Sequence, residues 1–349
     1  MNWLLIGLLT AITASSQTPL ENAQRLNEQG NRAGESGNDR EAISLYQESL
    51  AVWRSMGPQY EGHTAGTLLN LAVSLSADGQ RPAASKVLEE ALALHRRALG
   101  PTHHRTVSNM NLLASNYLMV GDPERAEILL KDVLAIEREL YPEDIQTART
   151  LEALSNLWVR RVKGSEALPL AEEALKITIH ATGEDSLDTA LAYSCVAEAH
   201  RFAGAPERAL PLYRKARSLY EKKLGPDHPR VASIWSQEGL ILMQDGKLTL
   251  ADQAMTRAVS SLRKSCPVCA MELSITQTNL GLLRLKQKRY RDADEALTRA
   301  VELREKFAVK PGPELADALQ NLATAREKQR LFEDAARLNA RAQMIRGYR

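Results

Sequence analysis

The sequence predicts an all-α protein, an α-solenoid of about eight helical hairpins. Three observations lead to this prediction. Ala, Leu, Arg and Glu, which favour helices, dominate the chain, while aromatic residues make up only 5% of it. A small residue recurs at a fixed spacing of about 42 residues along most of the 349-residue chain. Glycine and proline interrupt the pattern at regular positions between these recurrences.

Composition and charge narrow the class of partner. Hydrophobic residues make up 44% of the chain and charged residues 25%, which is ordinary for a folded globular protein. The 45 Lys and Arg residues are balanced by 43 Asp and Glu residues, so the chain has no long-range positive field. We therefore expect no nucleic-acid partner.

The repeated residue is an alanine, and its spacing is 42 residues with a single interval of 41. Another small residue precedes each of these alanines by twelve positions, and a third site follows by seven positions, two helical turns along the same face. Two helices that cross closely need small side chains at the crossing. The eight alanines are Ala42, Ala84, Ala126, Ala167, Ala209, Ala251, Ala293 and Ala335; the first small sites are Gly30, Ala72, Ala114, Ser155, Ala197, Gly239, Gly281 and Ala323.

Helix-breaking residues occur at two positions in each period, so that each repeat is predicted to be a helical hairpin. Glycines between the first and second small sites predict the turn inside the hairpin, and Lys163, Lys288 and Arg330 replace glycine in the other repeats. Segments rich in Gly and Pro, such as Leu224-Gly-Pro-Asp-His-Pro, predict the connections between hairpins. The turn glycines are Gly37, Gly79, Gly121, Gly204 and Gly246.

The pattern, with segments such as LLNLAVSLSADGQRPAASKVLEEALALHRRALGPTHHRTV and KKLGPDHPRVASIWSQEGL, resembles the tetratricopeptide repeat, specifically the 42-residue form of kinesin light chains. HEAT-type hairpins are the alternative, since their period overlaps, but the spacings of 12 and 7 favour the tetratricopeptide repeat. The resemblance places an array in residues 17–349, with repeats at approximately 23–56, 65–98, 107–140, 148–181, 190–223, 232–265, 274–307 and 316–349.

The resemblance implies a right-handed superhelix that acts as a non-catalytic scaffold and binds a peptide or helix of a partner protein in its concave groove. It implies no cofactor and no small-molecule substrate. The last helix has no capping helix after it, so self-association at the C-terminal edge is a further expectation. By the family's groove offsets, the partner-binding residues are Asn27, Asn31, Asn111, Arg149, Glu152, Asn156, Arg160, Ser194, Glu198, Arg201, Phe202 and Met243.

The first residues predict export. An apolar run from Leu4 to Ala14 precedes Ser15 and Ser16, and small residues at Ala14 and Ser16 suit a signal-peptidase site. We interpret residues 1–16 as a signal peptide, which predicts a periplasmic or extracellular protein. An uncleaved N-terminal anchor is the alternative, although the run is shorter than the roughly 20 residues that span a bilayer.

One motif offers an alternative function. Cys266-Pro-Val-Cys269 has the spacing of thiol oxidoreductases, and would make the chain a thiol-redox protein or a redox-switched adaptor. The motif lies in a connection between repeats and lacks a preceding strand, so a local disulfide is the competing interpretation. Because no HExxH motif occurs and no further ligands lie near these cysteines in sequence, we expect no metal site and no enzymatic activity.

Overall fold

The computed structural model describes residues 18–265, 269–307 and 312–347, and the predicted signal peptide lies outside them. These ranges contain sixteen α-helices, a short 3-10 helix Pro58–Tyr60 and no strand. The chain divides into two compact units, Met1–Tyr141 and Pro142–Arg349. The helices are α1 Pro19–Glu35, α2 Asp39–Ser55, α3 Glu61–Ala77, α4 Arg81–Leu99, α5 His104–Val120, α6 Pro123–Leu140, α7 Ile145–Arg160, α8 Gly164–Thr182, α9 Leu187–Phe202, α10 Pro206–Leu224, α11 Pro229–Gln244, α12 Leu248–Ser265, α13 Ala270–Lys286, α14 Tyr290–Phe307, α15 Pro313–Lys328 and α16 Phe332–Gly347.

Consecutive helices form hairpins, and neighbouring hairpins stack within each unit. In the first unit α1 packs on α2, α3 on α4 and α5 on α6; the second unit continues the scheme from α7 to α16. Within each unit, each hairpin also packs on the next one through its second helix. The all-α solenoid prediction is confirmed, and each hairpin begins three or four residues before the predicted repeat boundary.

Small side chains occupy the centre of every hairpin, as the spacing predicts. The repeated alanines are buried throughout, from Ala42 to Ala335. Where the first small site is glycine, the partner helix places a large side chain against the missing Cβ: a Cβ at Gly281 would lie 2.5 Å from Leu297 Cγ, and one at Gly239 2.6 Å from Met255 Cγ. Close approach of the two helices therefore depends on these positions.

The turns inside the hairpins share one geometry. A residue with positive φ ends the first helix, and the next residue's N–H donates to a carbonyl five residues earlier, as in Asp122 to Tyr117 at 2.8 Å. Glycine holds the positive-φ position in five turns, whereas Val162, Lys288 and Arg330 hold it in the others, with φ of 59°, 60° and 65°. The expectation that Lys163 replaces glycine is wrong by one residue, because Val162 takes the left-handed conformation.

Gly164 follows that turn as the first residue of α8, and it is required there for packing. A Cβ on Gly164 would collide with the backbone of Phe202 and Ala203 at the end of α9. A backbone neighbour cannot rotate away as a flexible side chain can. Glycine is thus required at this contact between two successive hairpins.

Side chains at the connections cap the following helices. The Nδ1 atoms of His103 and His228 accept hydrogen bonds from the backbone N–H groups of Arg105 and Arg230, at 3.2 and 3.1 Å. These histidines act as N-caps of α5 and α11.

Across the described ranges, every helix is too short or too polar to cross a membrane.

Substitution of Gly164 tests the packing of the fourth and fifth hairpins. We expect Gly164→Ala to lower the free energy of unfolding by about 2 to 3 kcal/mol, because the added methyl group overpacks a contact made by rigid backbone. Urea denaturation of the full chain measures the change. The matched control is Gly66→Ala, also within a helix but with no atom within 4 Å of the new Cβ. There we expect a gain of about 0.5 kcal/mol, and an equal effect of both substitutions would contradict the packing argument.

Candidate functional site

The predicted partner-binding residues lie on the first helix of their hairpins, that is, on α1, α5, α7, α9 and α11. In the first unit, Asn27, Asn31 and Asn70 form an amide cluster. Asn70 Nδ2 donates to Asn31 Oδ1 at 3.1 Å and to Asn27 Oδ1 at 3.4 Å, and Tyr46 Oη donates to Asn31 Oδ1 at 2.8 Å. These bonds occupy the amide oxygens of Asn27 and Asn31. The NH2 groups of the two asparagines remain as donors on a half-buried surface.

A cavity of about 560 Å³ lies beside the amide cluster. It forms where α3 carries Gly62 and Gly66, at which an added Cβ would meet open space. Its wall includes the ring of His63, which stacks on Trp53 with centroids 4.7 Å apart. The further lining residues are Gln24, Asn27, Glu28, Thr67, Leu69, Asn70, His95 and Arg105.

A second cavity of about 360 Å³ lies between α3 and α5 and is mostly apolar. Three side chains at its rim are exposed although they are hydrophobic: Val73 by 60%, Leu112 by 41% and Met119 by 57%. Leu88 from α4 forms part of its lining. We call Val73, Leu112 and Met119, which are exposed hydrophobic residues around one cavity, the apolar patch.

In the second unit, the predicted residues of α7 differ in their environment. Arg149, Asn156 and Arg160 are exposed, whereas Glu152 is only 7% exposed. Burial, and secondarily the negative charge of Asp188 on α9, raise the pKa of the Glu152 carboxyl to about 7, while Arg149 opposes this shift. Asn156 Nδ2 reaches Cys195 Sγ at 3.8 Å.

The predicted residues of α9 form a cluster of their own. Arg201 donates to Glu198 Oε1 at 2.6 Å and stacks over Phe202 with its guanidinium carbon 4.2 Å from the ring centroid. Tyr213 of α10 donates to the other carboxylate oxygen of Glu198. Three of the predicted residues are therefore brought together, and the charges of Glu198 and Arg201 compensate each other.

A buried ion pair that sequence reasoning missed joins α10 to α11 of the next hairpin. Arg217 Nε of α10 donates to Glu238 Oε1 of α11 at 2.8 Å, and the Glu238 side chain is almost fully buried. The guanidinium carbon of Arg217 lies 3.8 Å from the centroid of the Trp235 ring. Burial raises the pKa of Glu238, although Arg217 lowers it in part.

The remaining predicted residues are spread along the same helices. Asn111 on α5, Ser194 on α9 and Met243 on α11 are each half-buried. Ser194 Oγ donates to the Ala190 carbonyl of its own helix at 3.0 Å. Ile275 and Leu282 on α13 are exposed hydrophobic residues, so the surface of the second unit also has an apolar part.

Two of the three cysteines, Cys195 and Cys269, lie among the described residues. Cys266 lies outside the described residues, and Cys269 is half-buried just before α13, so the proposed disulfide stays a prediction. Burial raises the pKa of the Cys195 thiol to about 12, and Glu152 adds to this shift, so this thiol stays protonated at neutral pH. Within the described ranges, no group of three or more His, Cys, Asp or Glu residues could hold a metal ion.

Exposed hydrophobic residues lie at both ends of α16: Leu331, directly before the helix, Phe332 and Met344. Two arginines of α16 form ion pairs with the two preceding helices, Arg346 with Asp317 at 2.6 Å and Arg341 with Glu305 at 2.5 Å. Self-association at the C-terminal edge stays a prediction.

The apolar patch was the main omission of the sequence-based site. None of Val73, Leu112 and Met119 is among the partner-binding residues predicted from the sequence, and Leu112 lies outside the groove positions of the family. Its exposure depends on how α5 rotates against α3, which the repeat period alone does not determine.

Comparison with known proteins supports this architecture. The family profile described as "Tetratricopeptide repeat" matches residues 63–139, 159–222, 188–264 and 276–307. A clustered mitochondria protein homolog of Aspergillus clavatus is 28% identical over 129 residues, 36% of this chain and only 10% of that protein.

Two solved structures illustrate the likeness of fold. Nearly identical TPR-like repeats of a protein assigned as a kinesin light chain in Podosopora anserina share 21% identity, with a TM-score of 0.51, covering 60% of this chain and 99% of that one. The apo quorum sensor NprR from B. thuringiensis shares 12% identity, with a TM-score of 0.69, covering 93% of this chain and 87% of that one. At these identities the likeness concerns the fold alone.

The buried carboxyl of Glu152 predicts a pH dependence of stability. Its pKa is about 7 in the folded chain against a reference value of 4.5, so the folded state binds the proton more tightly. The stabilisation is complete below the unfolded pKa and is lost as the pH rises through about 7. Between pH 5 and pH 8 we expect the wild-type chain to lose about 2 to 3 kcal/mol more stability than Glu152→Gln.

Urea denaturation at the two pH values measures this difference. Glu172→Gln is the control, because Glu172 is an exposed carboxylate on α8. We expect this variant to follow the wild-type chain. Parallel pH profiles of the wild-type chain and Glu152→Gln would refute the assignment of a raised pKa to Glu152.

Proposed function

The chain belongs to the tetratricopeptide-repeat family, and from this premise we propose that it is a non-catalytic scaffold that holds a peptide or helix of a partner protein against its first helices. The stacking of hairpins leaves one face of each first helix uncovered by the second helices. A partner segment that lies across several first helices can contact several repeats at once. Recognition then comes from side chains that repeat along the array.

The observation that carries the proposal is the apolar patch. Val73, Leu112 and Met119 are exposed around a cavity large enough for an aliphatic or aromatic side chain. Burial of such a surface by a partner stabilises a complex by about 25 cal/mol for each Å² of apolar area. The methionine can adapt to side chains of different shape.

The amide cluster supplies the polar part of the same surface. The NH2 groups of Asn27 and Asn31 can donate to carbonyl oxygens of a bound segment, because internal bonds already occupy their own oxygens. The cluster and the apolar patch are joined by α3, which contributes residues to both cavities. An amphipathic segment is the ligand that fits such a pair of surfaces.

We also propose that the scaffold acts outside the cytoplasm, after removal of residues 1–16. The support is the apolar run from Leu4 to Ala14 and the small residues that follow it. N-terminal sequencing of the protein recovered from the host tests this proposal, with Gln17 expected as the first residue. Recovery of the chain in the cytoplasm with Met1 or Asn2 at its start would contradict export.

The apolar patch can be tested by crosslinking and charge insertion. A photo-reactive benzoylphenylalanine in place of Leu112 should crosslink the partner in the native host. With the partner identified and purified, we expect Val73→Asp or Met119→Asp to weaken its binding at least about tenfold, because each carboxylate would be desolvated in the complex. Calorimetry or fluorescence anisotropy measures the affinity.

The control residue is Ile128 on α6, which is 61% exposed and so matches the exposure of Val73. Ile128→Asp adds the same charge away from the apolar patch, on the second helix of a hairpin. It should leave the affinity for the partner unchanged. Thermal melts of all three variants verify that they fold. Unchanged affinity of both patch variants would show that the partner binds elsewhere.

A further inference from the structure

Three carboxylates of the second unit, Glu152, Glu198 and Glu238, lie on first helices and are at least half-buried. Glu238 receives a hydrogen bond from Arg217, and Glu198 receives hydrogen bonds from Arg201 and Tyr213. Burial of a carboxylate is costly unless donors compensate it, and in these two cases the chain itself supplies the donors.

Glu152 is the exception among them. Within the described part of the chain, no hydrogen bond or ion pair reaches its carboxylate; the neighbouring charges act on it only at longer range. These neighbours are Arg149 on its own helix and Asp188 on α9, and the thiol of Cys195 also lies close to it. Arg149 instead pairs with Asp188, with 3.7 Å between Arg149 Nη2 and Asp188 Oδ1.

The surroundings of Glu152 consist mainly of acceptors. Among the residues that the structure describes, Asp188 pairs only with the exposed Arg149, and this long contact contributes little in water. Asn156 lies one helical turn after Glu152, and its NH2 group is directed at Cys195, so its Oδ1 remains available as an acceptor. Leu191, one turn after Asp188, is exposed and offers an apolar contact beside these acceptors.

From this arrangement we propose that the surface between α7 and α9 binds a lysine or arginine side chain of the partner, with Glu152 as the residue that selects it. The cationic head would donate to the Glu152 carboxylate and to Asn156 Oδ1, in the place that Arg217 takes at Glu238. The methylene stem would pack on Leu191, as long basic side chains do on apolar surface. The site rests on the proposed function and specifies the chemistry of its ligand.

Binding of a cation here is coupled to loss of a proton from Glu152. The cation interacts favourably with the carboxylate and unfavourably with the neutral acid, whereas lysine and arginine stay charged at neutral pH. A carboxyl with a pKa of about 7 is mostly protonated at pH 6 and mostly ionised at pH 8. Affinity for the basic segment should therefore rise about tenfold between these two pH values.

The test uses the full chain, immobilised, and pools of synthetic heptapeptides that are random except at the centre. One pool has a central lysine and the other norleucine, which keeps the apolar stem and lacks the charge; both are acetylated at the N-terminus and amidated at the C-terminus. At pH 8 we expect the lysine pool to be retained at least about tenfold better, as suits a charge-assisted hydrogen bond. At pH 6 most of this preference should be lost.

Glu152→Gln should remove both the preference for lysine and its pH dependence. The variant should fold, because glutamine resembles the protonated acid that this site already accommodates. Glu172→Gln, exposed on α8, removes the same charge away from the site and should behave as the wild-type chain. A third pool, with norleucine at the centre and a free N-terminal amine, tests whether a chain terminus supplies the cation instead.

The outcomes separate this inference from the proposed function. Equal retention of the lysine and norleucine pools by the wild-type chain, or an unchanged preference in Glu152→Gln, overturns the cation site while peptide binding stands. Stronger retention of the third pool than of the lysine pool also overturns it, in favour of an N-terminal amine. Retention of no pool at either pH contradicts peptide binding by the second unit, and the cation site with it.

Discussion

Close contact between paired helices at small side chains is the constraint on which the rest of the structure depends. A hairpin of two helices has too little apolar area to fold alone, so its stability comes from the contact inside the pair and from stacking on the next pair. Both contacts require the helix axes to approach closely. Where a glycine lies at the crossing, as at Gly281, the facing leucine fills the space that a Cβ would take.

This constraint also determines which surfaces remain for binding. The second helices use their small residues, such as Ala84 and Ala91, against the first helices, and so they cover one side of each first helix. The opposite side of the first helices has no such cover within a hairpin. Residues on this side can vary without loss of the core. This explains why α3 and α5 carry an apolar patch there, whereas α7, α9 and α11 carry buried carboxylates.

Sequence predicts the parts of the fold that repeat, and it fails where a single repeat departs from the pattern. The alanine period located every hairpin, because eight equivalent crossings impose the same requirement on eight segments. It could not show that Val162 adopts the left-handed conformation, since a β-branched residue is among the least suited to it. Nor could it show that Gly164 packs on the backbone of Phe202, because that contact joins two different repeats.

The candidate site illustrates the same limit in chemical terms. The groove offsets identified Glu152, Glu198 and their neighbours as surface residues, yet burial depends on the side chains that three helices place around each position. Glu198 gains its donors from Arg201, three residues later, and from Tyr213 on the following helix. Glu152 has no equivalent donor among the described residues, and burial raises the pKa of its carboxyl to about 7, near neutral pH. A side chain in this state responds to any cation brought beside it, so an irregularity in one repeat can give a regular array its specificity.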